Sequence, residues 1–264
     1  MSETGMPGDQ DNDPDRLPFA APCKDLATGA PVRWLRLGWR DLRRAPGQSL
    51  SYGALLVLIS YIIAWLAVTF GNLVVLIAML SGFVFVGPML ALAFYDISRQ
   101  LQQGIEPTLG RSLRTSLRHI GNHAVFAVIL LIIFLVWARA ASMTHVFFPA
   151  LSSPKLSDLA LFLGVGSAIG SVFSAIVFCV SAFSLPMIID RKADMVTAVV
   201  TSFNAVLRNK PAMFVWVLLI VAAVGIGIAT AFIGLAVALP LIGHATWHAY
   251  QETIDASAWP RHAE

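Results

Sequence analysis

The sequence contains apolar runs that are long enough to cross a lipid bilayer. A helix of about 20 residues, rising 1.5 Å per residue, spans the ~30 Å hydrocarbon layer. Hydrophobic residues make up 57% of the chain and charged residues 12%, about half the charged fraction of a typical soluble domain. The predicted fold class is therefore an all-α, polytopic transmembrane helical bundle. The apolar runs cover residues 50–70, 73–97, 124–142, 160–189 and 212–249.

The last run is too long for one crossing. As a straight helix it would extend about 50 Å at 1.5 Å per residue, well beyond the hydrocarbon layer. Gly225, Gly227 and Gly234 permit a tight reversal. We expect a hairpin with spans over 212–231 and 233–250, which brings the number of spans to six. A five-span chain with one kinked helix here is the alternative.

Lysine and arginine are concentrated in segments that would lie on one side of the membrane. Under the six-span assignment, sixteen of the 18 lie before the first span, in the 98–120 and 190–211 loops, or in the C-terminal tail. Cytoplasmic loops are enriched in basic residues, so both termini are predicted to be cytoplasmic. Charge does not exclude five spans, because only Arg261 would change sides.

The two ends of the chain differ in composition from the membrane domain predicted over 31–252. Residues 1–30 are acidic, rich in Pro and Gly and poor in large apolar residues, which predicts a disordered tail; residues 253–264 form a short cytoplasmic tail. Cys23 and Cys179 lie in different environments and form no metal or redox motif. The net charge of +3 arises beside the spans, which favours anionic inner-leaflet lipids over nucleic acid as partner.

A short motif, Leu-Arg-x-x-[Pro/Gly], precedes each pair of predicted spans. It occurs at 42–46, 117–121 and 207–211, and each copy follows amphipathic helical spacing. These features predict a threefold repeat of interfacial helix, span, reversal and span. The expected apolar stripes are Leu35, Trp39 and Leu42, then Leu113, Leu117 and Ile120, then Val196, Val199, Phe203 and Val206.

A basic amphipathic helix of this kind lies in the headgroup layer, with its apolar side toward the membrane and its cations toward lipid phosphate. The proline or glycine of the motif then ends the helix, so that the chain can enter the bilayer. The residues expected to contact headgroups are Arg36, Arg40, Arg43, Arg44, Arg111, Arg114, Arg118, Arg208 and Lys210.

Pro88, Pro186 and Pro240 lie in the second arm of the three predicted pairs. Proline removes a backbone hydrogen bond inside a helix, and the freed carbonyl then needs a partner from neighbours or water. A kink packed within the bundle is the expected outcome. The alternative is a broken helix that lines a substrate cavity, as in transporters.

The segments GWRDLRRAPG at 38–47 and GPMLALAFYDISRQLQQG at 87–104 resemble the signatures of a bacterial family of predicted integral membrane proteins with no assigned function. The resemblance extends over most of the chain from about residue 32. It implies a multi-span protein of the bacterial inner (plasma) membrane, and it implies no catalytic residues.

Charged residues near or within the spans are few. Arg139 is the one basic residue inside a predicted span, and we expect it to reach the outer headgroups; an inward charge that binds an anion is the alternative. Asp96 and Asp190 end second arms, and local pairing with Arg99 and Arg191 is expected.

His244 and His248 share one helical face at i, i+4, but Ala245 stands where a zinc-protease motif requires Glu. They are weak candidates for haem or metal ligation, and packing with Trp247 and Tyr250 near the cytoplasmic interface is favoured. The sequence predicts no catalytic site, no metal site and no cofactor.

Gly166, Gly170 and Ser174 form a small-xxx-small stripe. Such stripes allow close helix contact in lipid, either within the chain or against a second copy. Homo-oligomers and other membrane proteins are therefore candidate partners, beside the bilayer itself.

Three classes of function remain open. The favoured one is a non-enzymatic membrane protein that organises the membrane, senses its state or assists a complex. A transporter or channel with proline-broken helices is the alternative, and a membrane cofactor-binding subunit, based on the two histidines, is a further one.

Overall fold

The computed structural model describes residues 18–70, 87–112, 120–147 and 156–262. Over these ranges the chain is helical, and extended pairing is limited to two isolated bridges. The prediction of an all-α polytopic membrane protein is confirmed. The helices are α1 (Ala30–Arg44), α2 (Pro46–Phe70), α3 (Leu92–Gln102), α4 (Ile120–Phe147), α5 (Leu156–Ser181), α6 (Ser184–Asp190), α7 (Met195–Arg208), α8 (Lys210–Ala229) and α9 (Leu235–Thr253).

Four helical stretches of the described chain are long and apolar enough to cross a membrane. They are Pro46–Leu66, Gly121–Met143, Ala160–Asp190 and Lys210–Ala229, which agree with four of the six predicted spans. Of the span predicted over 73–97, residues 73–86 lie outside the described ranges. The total number of spans therefore stays a prediction.

The last apolar run forms two helices joined by a turn over residues 230–234. The two residues at the centre of this turn, Ala231 and Phe232, have positive φ angles of 52° and 66°. α9 is not among the four most apolar helices, because its second half carries His244, Thr246 and His248. Those side chains are buried by neighbouring helices, so the polar half of α9 is not exposed to the hydrocarbon layer.

Helix α9 is the centre of the described fold and packs against α1, α2, α3 and α8. α1 and α2 run antiparallel to it in a fixed order. Asp41 of α1 contacts His248, Ser49 of α2 contacts His244, and Gly53 lies against the backbone of Ala236 further along.

The buried face of α1 is formed by Trp34, Gly38, Asp41 and Leu42, and it packs on α9. Of the predicted stripe, Trp39 is 43% exposed, as a side chain at the headgroup layer would be, whereas Leu42 is buried. The prediction that the whole apolar side of α1 faces lipid is therefore wrong, because α9 covers the part that contains Leu42.

Helix α7 packs on the fold through a face that is mostly distinct from its predicted apolar stripe. It buries small and polar residues against α5 and α6, among them Thr201, Ser202 and Ala205. Of its predicted apolar stripe, Val196 and Phe203 are exposed, as side chains that face lipid would be, whereas Val206 is buried. Small residues are buried here because they allow α7 to approach the backbone of the α5–α6 junction closely.

The Leu-Arg-x-x-Pro motif forms a one-residue junction between two helices. Only Ala45 separates α1 from α2, and only Asn209 separates α7 from α8. In both cases a proline occupies the first turn of the second helix, where its missing N–H costs nothing. The middle copy of the motif, at 117–121, lies largely outside the described residues, so the threefold repeat stays a prediction.

The two terminal segments pack on the fold. Ala21 is buried and its N–H donates to Thr201 Oγ1 at 2.9 Å, while Leu26 N–H donates to Asn209 Oδ1 at 2.8 Å. Residues 18–29 therefore do not belong to a disordered tail, because α7 and the C-terminal segment provide them with partners; residues 1–17 lie outside the described ranges. Trp259, in the predicted C-terminal tail, is 2% exposed.

Candidate functional site

Polar side chains from four helices meet in the interior beside α9. We call Asp41, Ser49, Ser98, His244 and His248 the histidine network. They come from α1, α2, α3 and α9, and each is at least nine-tenths buried. Buried ionisable groups are costly in a membrane protein and commonly mark functional positions.

The histidine network forms a continuous chain of hydrogen bonds. Ser98 Oγ–H donates to Asp41 Oδ2 at 2.9 Å, and Ser98 Oγ lies 2.8 Å from Nδ1 of His244. Nε2 of His244 lies 2.9 Å from Ser49 Oγ, and His248 Nε2 lies 2.7 Å from Asp41 Oδ2. All four contacts are satisfied when His244 carries its proton on Nδ1, because Ser98 then accepts from His244 and Ser49 donates to it.

Asp41 is the charged end of this chain. Burial raises the pKa of Asp41, but the hydrogen bonds from His248 and Ser98 and the attraction of the two histidines outweigh it, so the pKa lies below its usual value. The carboxylate therefore stays ionised at neutral pH and fixes α1 onto α9.

A second set of buried polar groups lies on α3 beside the network. Asp96, which is fully buried, accepts from Arg99 at 2.8 Å and from Gln100 at 2.6 Å. The Gln100 amide also donates to Ser112 Oγ at 2.9 Å. The sequence placed Asp96 where the helix leaves the membrane for the cytoplasm; the structure places it in a packed core.

Asp190 is the acid of a third polar cluster, at the end of α6. It pairs with Arg191 at 3.0 Å and accepts from Tyr250 Oη at 2.9 Å. Arg191 also donates to the carbonyl of Trp259 at 3.0 Å. The cluster thus connects α6, α9 and the C-terminal segment.

The hydrogen bonds of His244 bear on the predicted ligation of haem or a metal by His244 and His248. Both ring nitrogens of His244 already lie within hydrogen-bond distance of serine hydroxyls, so a metal at either nitrogen would displace a serine. Within the described ranges no group of three or more His, Cys, Asp or Glu residues could hold a metal ion. Ser49 is fully buried, which leaves a substrate no access to its hydroxyl.

Pro186 is the third residue of α6, which is separated from α5 by a two-residue break at Ala182 and Phe183. Ser202 of α7 fills this break: its hydroxyl donates to Cys179 O at 2.7 Å and accepts from Phe183 N–H at 3.0 Å. A side chain from a neighbouring helix thus replaces the interrupted backbone bond, as membrane helices require.

Pro240 lies inside α9 and is buried. The residue four positions earlier, Ala236, loses its usual backbone partner because proline has no N–H. Gly53 of α2 lies directly against this carbonyl, so closely that a Cβ atom would clash with it and would come within 3.1 Å of the Pro240 ring. Pro88 is half-buried at the start of its described segment.

The residues expected to contact headgroups occupy different environments. Arg36, Arg40, Arg43 and Arg44 are all exposed on α1, and the Arg43 guanidinium lies 5.9 Å from the centre of the Trp39 ring. Arg208, by contrast, pairs with Asp25 at 2.6 Å. Arg111 and Lys210 are exposed; Arg114 and Arg118 lie outside the described residues.

Arg139 is exposed on α4. Gly166 and Gly170 have open space where a Cβ would lie, so neither packs against a helix within the described chain. Contact of the stripe with a second copy or another membrane protein stays a prediction.

The sequence pointed to His244 and His248 but not to their partners. Asp41, Ser49 and Ser98 are distant from the histidines along the chain, and single serines carry no distinctive pattern. One signal was present: Asp41 is an acid within a strongly basic helix, and it shares a face with Trp34 and Gly38 at i, i+4 and i+7.

Residues 75–190 match the model of a family described as predicted integral membrane protein, DUF2189. The match includes the 87–104 segment and confirms the predicted resemblance, although the 38–47 segment lies outside it. No curated protein and no solved structure matches the chain.

Proposed function

We propose that this integral membrane protein is a non-enzymatic component of the bacterial inner membrane that binds anionic lipids of the cytoplasmic leaflet through α1. The observation that carries the proposal is the division of α1 into two faces. One face is locked onto α9 through Asp41, and the other exposes Arg36, Arg40, Arg43 and Arg44.

The exposed arginines are available to lipid. None of the four has an ion-pair partner among the described residues, whereas Arg33 on the same helix is bound to Glu252. The exposed Trp39 beside Arg43 is typical of a headgroup-level aromatic side chain. Each basic side chain near an anionic surface contributes about 1 kcal/mol of attraction.

The packing of the terminal segments supports the predicted topology. Cys23 and Ile254 pair in a backbone bridge, which supports the prediction that the two segments lie on the same side of the membrane. The chain then crosses an even number of times, which favours six spans over five. The positive-inside rule assigns that side to the cytoplasm.

A titration with fluorescent phosphatidylglycerol in neutral detergent micelles tests the proposal. The Arg40→Gln/Arg43→Gln protein should bind this lipid about 30-fold more weakly than wild type, from the loss of about 2 kcal/mol. The matched control is Arg33→Gln/Arg208→Gln, which removes the same charge from arginines already paired with carboxylates and should change the affinity much less. Equal affinities for wild type and the Arg40/Arg43 variant would overturn the proposal.

A second candidate function is proton-coupled transport, and the hydrogen-bonded chain from Ser49 to His248 favours it. Chains of buried His, Asp and hydroxyl groups form proton relays in transporters. Proteoliposomes containing a pH-sensitive dye would show proton movement that His244→Gln abolishes. A proton flux equal to that of empty liposomes would remove this candidate.

A further inference from the structure

Three distant segments of the chain form one polar corner of the molecule. Residues 22–24 pair with 253–255, where Lys24 N–H donates to Thr253 O at 2.8 Å and Asp255 N–H donates to Pro22 O at 2.9 Å. Arg191 and Arg261 form a second antiparallel bridge, and Lys192 N–H donates to Pro260 O at 2.9 Å. Backbone hydrogen bonds therefore fix the walls of this corner.

The corner encloses an open cavity of about 200 Å³, which we call the terminal cavity. Its charged lining consists of Lys24, Arg191, Arg261, Asp190 and Asp255. Sites for drug-sized ligands measure about 300–1,000 Å³, so the terminal cavity suits a smaller and more polar group.

Two of the cations that line the terminal cavity are available to a ligand. Arg191 is engaged by Asp190 and by the Trp259 carbonyl. Lys24 and Arg261 are exposed, and neither has an ion-pair partner among the described residues. The backbone bridge also holds Arg261 opposite Arg191, so the two arginines belong to the same wall of the cavity.

The carboxylates offset two of the three positive charges. Asp190 is neutralised by Arg191 and accepts from Tyr250 as well. Asp255 stays ionised, because hydrogen bonds from Ser257 and the attraction of Lys24 and Arg191 lower its pKa. Counting all five groups, the lining carries one net positive charge. Its side chains without an ion-pair partner among the described residues are the cations Lys24 and Arg261 and the anion Asp255.

We propose that the terminal cavity binds a phosphate group, contacted by Lys24 and Arg261 and flanked by the fixed guanidinium of Arg191. Lysine and arginine are the usual ligands of phosphate oxygens, lysine as a point charge and arginine as a planar fork. The group is either inorganic phosphate or a soluble phosphate ester, or the phosphate of a lipid headgroup on the same side of the membrane. The site shares no residue with the basic face of α1.

The test is the thermal stability of the full-length protein in neutral detergent, titrated with inorganic phosphate at constant ionic strength. Wild type should show a saturable rise in Tm. Lys24→Gln/Arg261→Gln should require at least tenfold more phosphate for the same rise. Both side chains are exposed, so this variant keeps its fold, which the unchanged Tm without phosphate verifies. The matched control, Arg36→Gln/Arg40→Gln, removes two α1 charges and should respond as wild type.

A parallel titration with fluorescent phosphatidylglycerol identifies the source of the phosphate. If inorganic phosphate has no effect but the Lys24/Arg261 variant binds this lipid at least tenfold more weakly, the site holds a lipid headgroup. The proposal is overturned if the Lys24/Arg261 variant equals wild type in both titrations, or if neither probe binds saturably. The lipid-binding function of α1 is tested by the Arg40/Arg43 variant, and the terminal cavity by the Lys24/Arg261 variant. Either proposal can therefore fail while the other holds.

Discussion

At the scale of single residues, the described interior is organised by hydrogen bonds that neighbouring helices complete for one another. Asp41 Oδ2 accepts hydrogen bonds from both Ser98 and His248. The Ser202 hydroxyl bonds both backbone groups at the α5–α6 break, Phe183 N–H and Cys179 O. Each of these side chains satisfies two buried groups at once, so removing one of them leaves more than one group without a partner.

The pH dependence of stability should reveal the role of Asp41. Asp41→Asn should lower the free energy of unfolding at pH 7 by about 1.5–3 kcal/mol, the usual contribution of a hydrogen bond to a charged group. The folded-state pKa of Asp41 lies below its usual 3.8, so the stabilisation is present above that value and is lost as the pH falls through the lower folded-state pKa.

Unfolding of both proteins in detergent, measured from pH 7 to pH 3, checks this. The difference between wild type and Asp41→Asn should be constant between about pH 7 and 5 and shrink below about pH 4. The matched control, Asp25→Asn, alters an exposed carboxylate and should have a much smaller effect. A difference that is absent at pH 7 would show that Asp41 does not stabilise the network.

Ser202→Ala should destabilise the protein by about 1–3 kcal/mol, because Phe183 N–H and Cys179 O would be left unpaired in a buried site. Ser171→Ala is the control, since Ser171 is exposed and bonds only to the carbonyl of Ser167 in its own helix. Chemical unfolding of the two variants gives the comparison. Equal stabilities would mean that the α5–α6 break does not depend on α7.

At the scale of the elements, α9 determines how α1 and α2 are placed. Its neighbours approach so closely at Gly38, Gly53 and Gly243 that an added Cβ atom would clash at each position. At Gly38 the clash is with backbone, at 2.7 Å from Ala245 N and 2.9 Å from Leu241 O, and backbone cannot rotate away.

Gly38→Ala should therefore separate α1 from α9 and lower the free energy of unfolding by about 1–3 kcal/mol, the range for overpacking. Gly47→Ala is the matched control, because nothing lies within 4 Å of its Cβ position. Thermal unfolding of both variants in detergent measures the difference. A Gly38→Ala protein as stable as the Gly47→Ala protein would contradict the close packing.

The sequence predicted helices better than it predicted their faces. Apolar length located four helices long enough to cross a membrane, and the excess length of the last run correctly indicated a reversal between α8 and α9. The glycines did not mark its centre, because Gly225 and Gly227 lie within α8 and the positive φ angles occur at Ala231 and Phe232.

The stripe predicted for α1 was only partly right: Trp39 is exposed but Leu42 is buried, because helical spacing alone does not say whether lipid or another helix covers a face. In α1 the covering helix is α9, which accepts a glycine and an aspartate as well as apolar residues.

At the scale of the whole molecule, the described core lies at the end where the two terminal segments meet. α3, α6 and the second half of α9 are almost wholly buried, whereas α2, α4 and α8 expose large apolar side chains, as lipid-facing helices do.

Composition alone indicated a disordered N-terminal tail. The partners of residues 18–29, which include Asn209 and Thr253, come from the far end of the chain and could not be read from local sequence.

The central claim is that α1 presents its arginines at the cytoplasmic surface. Its most direct test is labelling of intact cells with a membrane-impermeant maleimide, in a Cys23→Ser/Cys179→Ser background. Ser153 lies between the predicted spans 124–142 and 160–189, which places it outside under the six-span assignment. Arg40→Cys should react only after the cells are permeabilised, while Ser153→Cys should react without permeabilisation. Labelling of residue 40 in intact cells at the rate of residue 153 would contradict the topology and, with it, the proposed contact with inner-leaflet lipid.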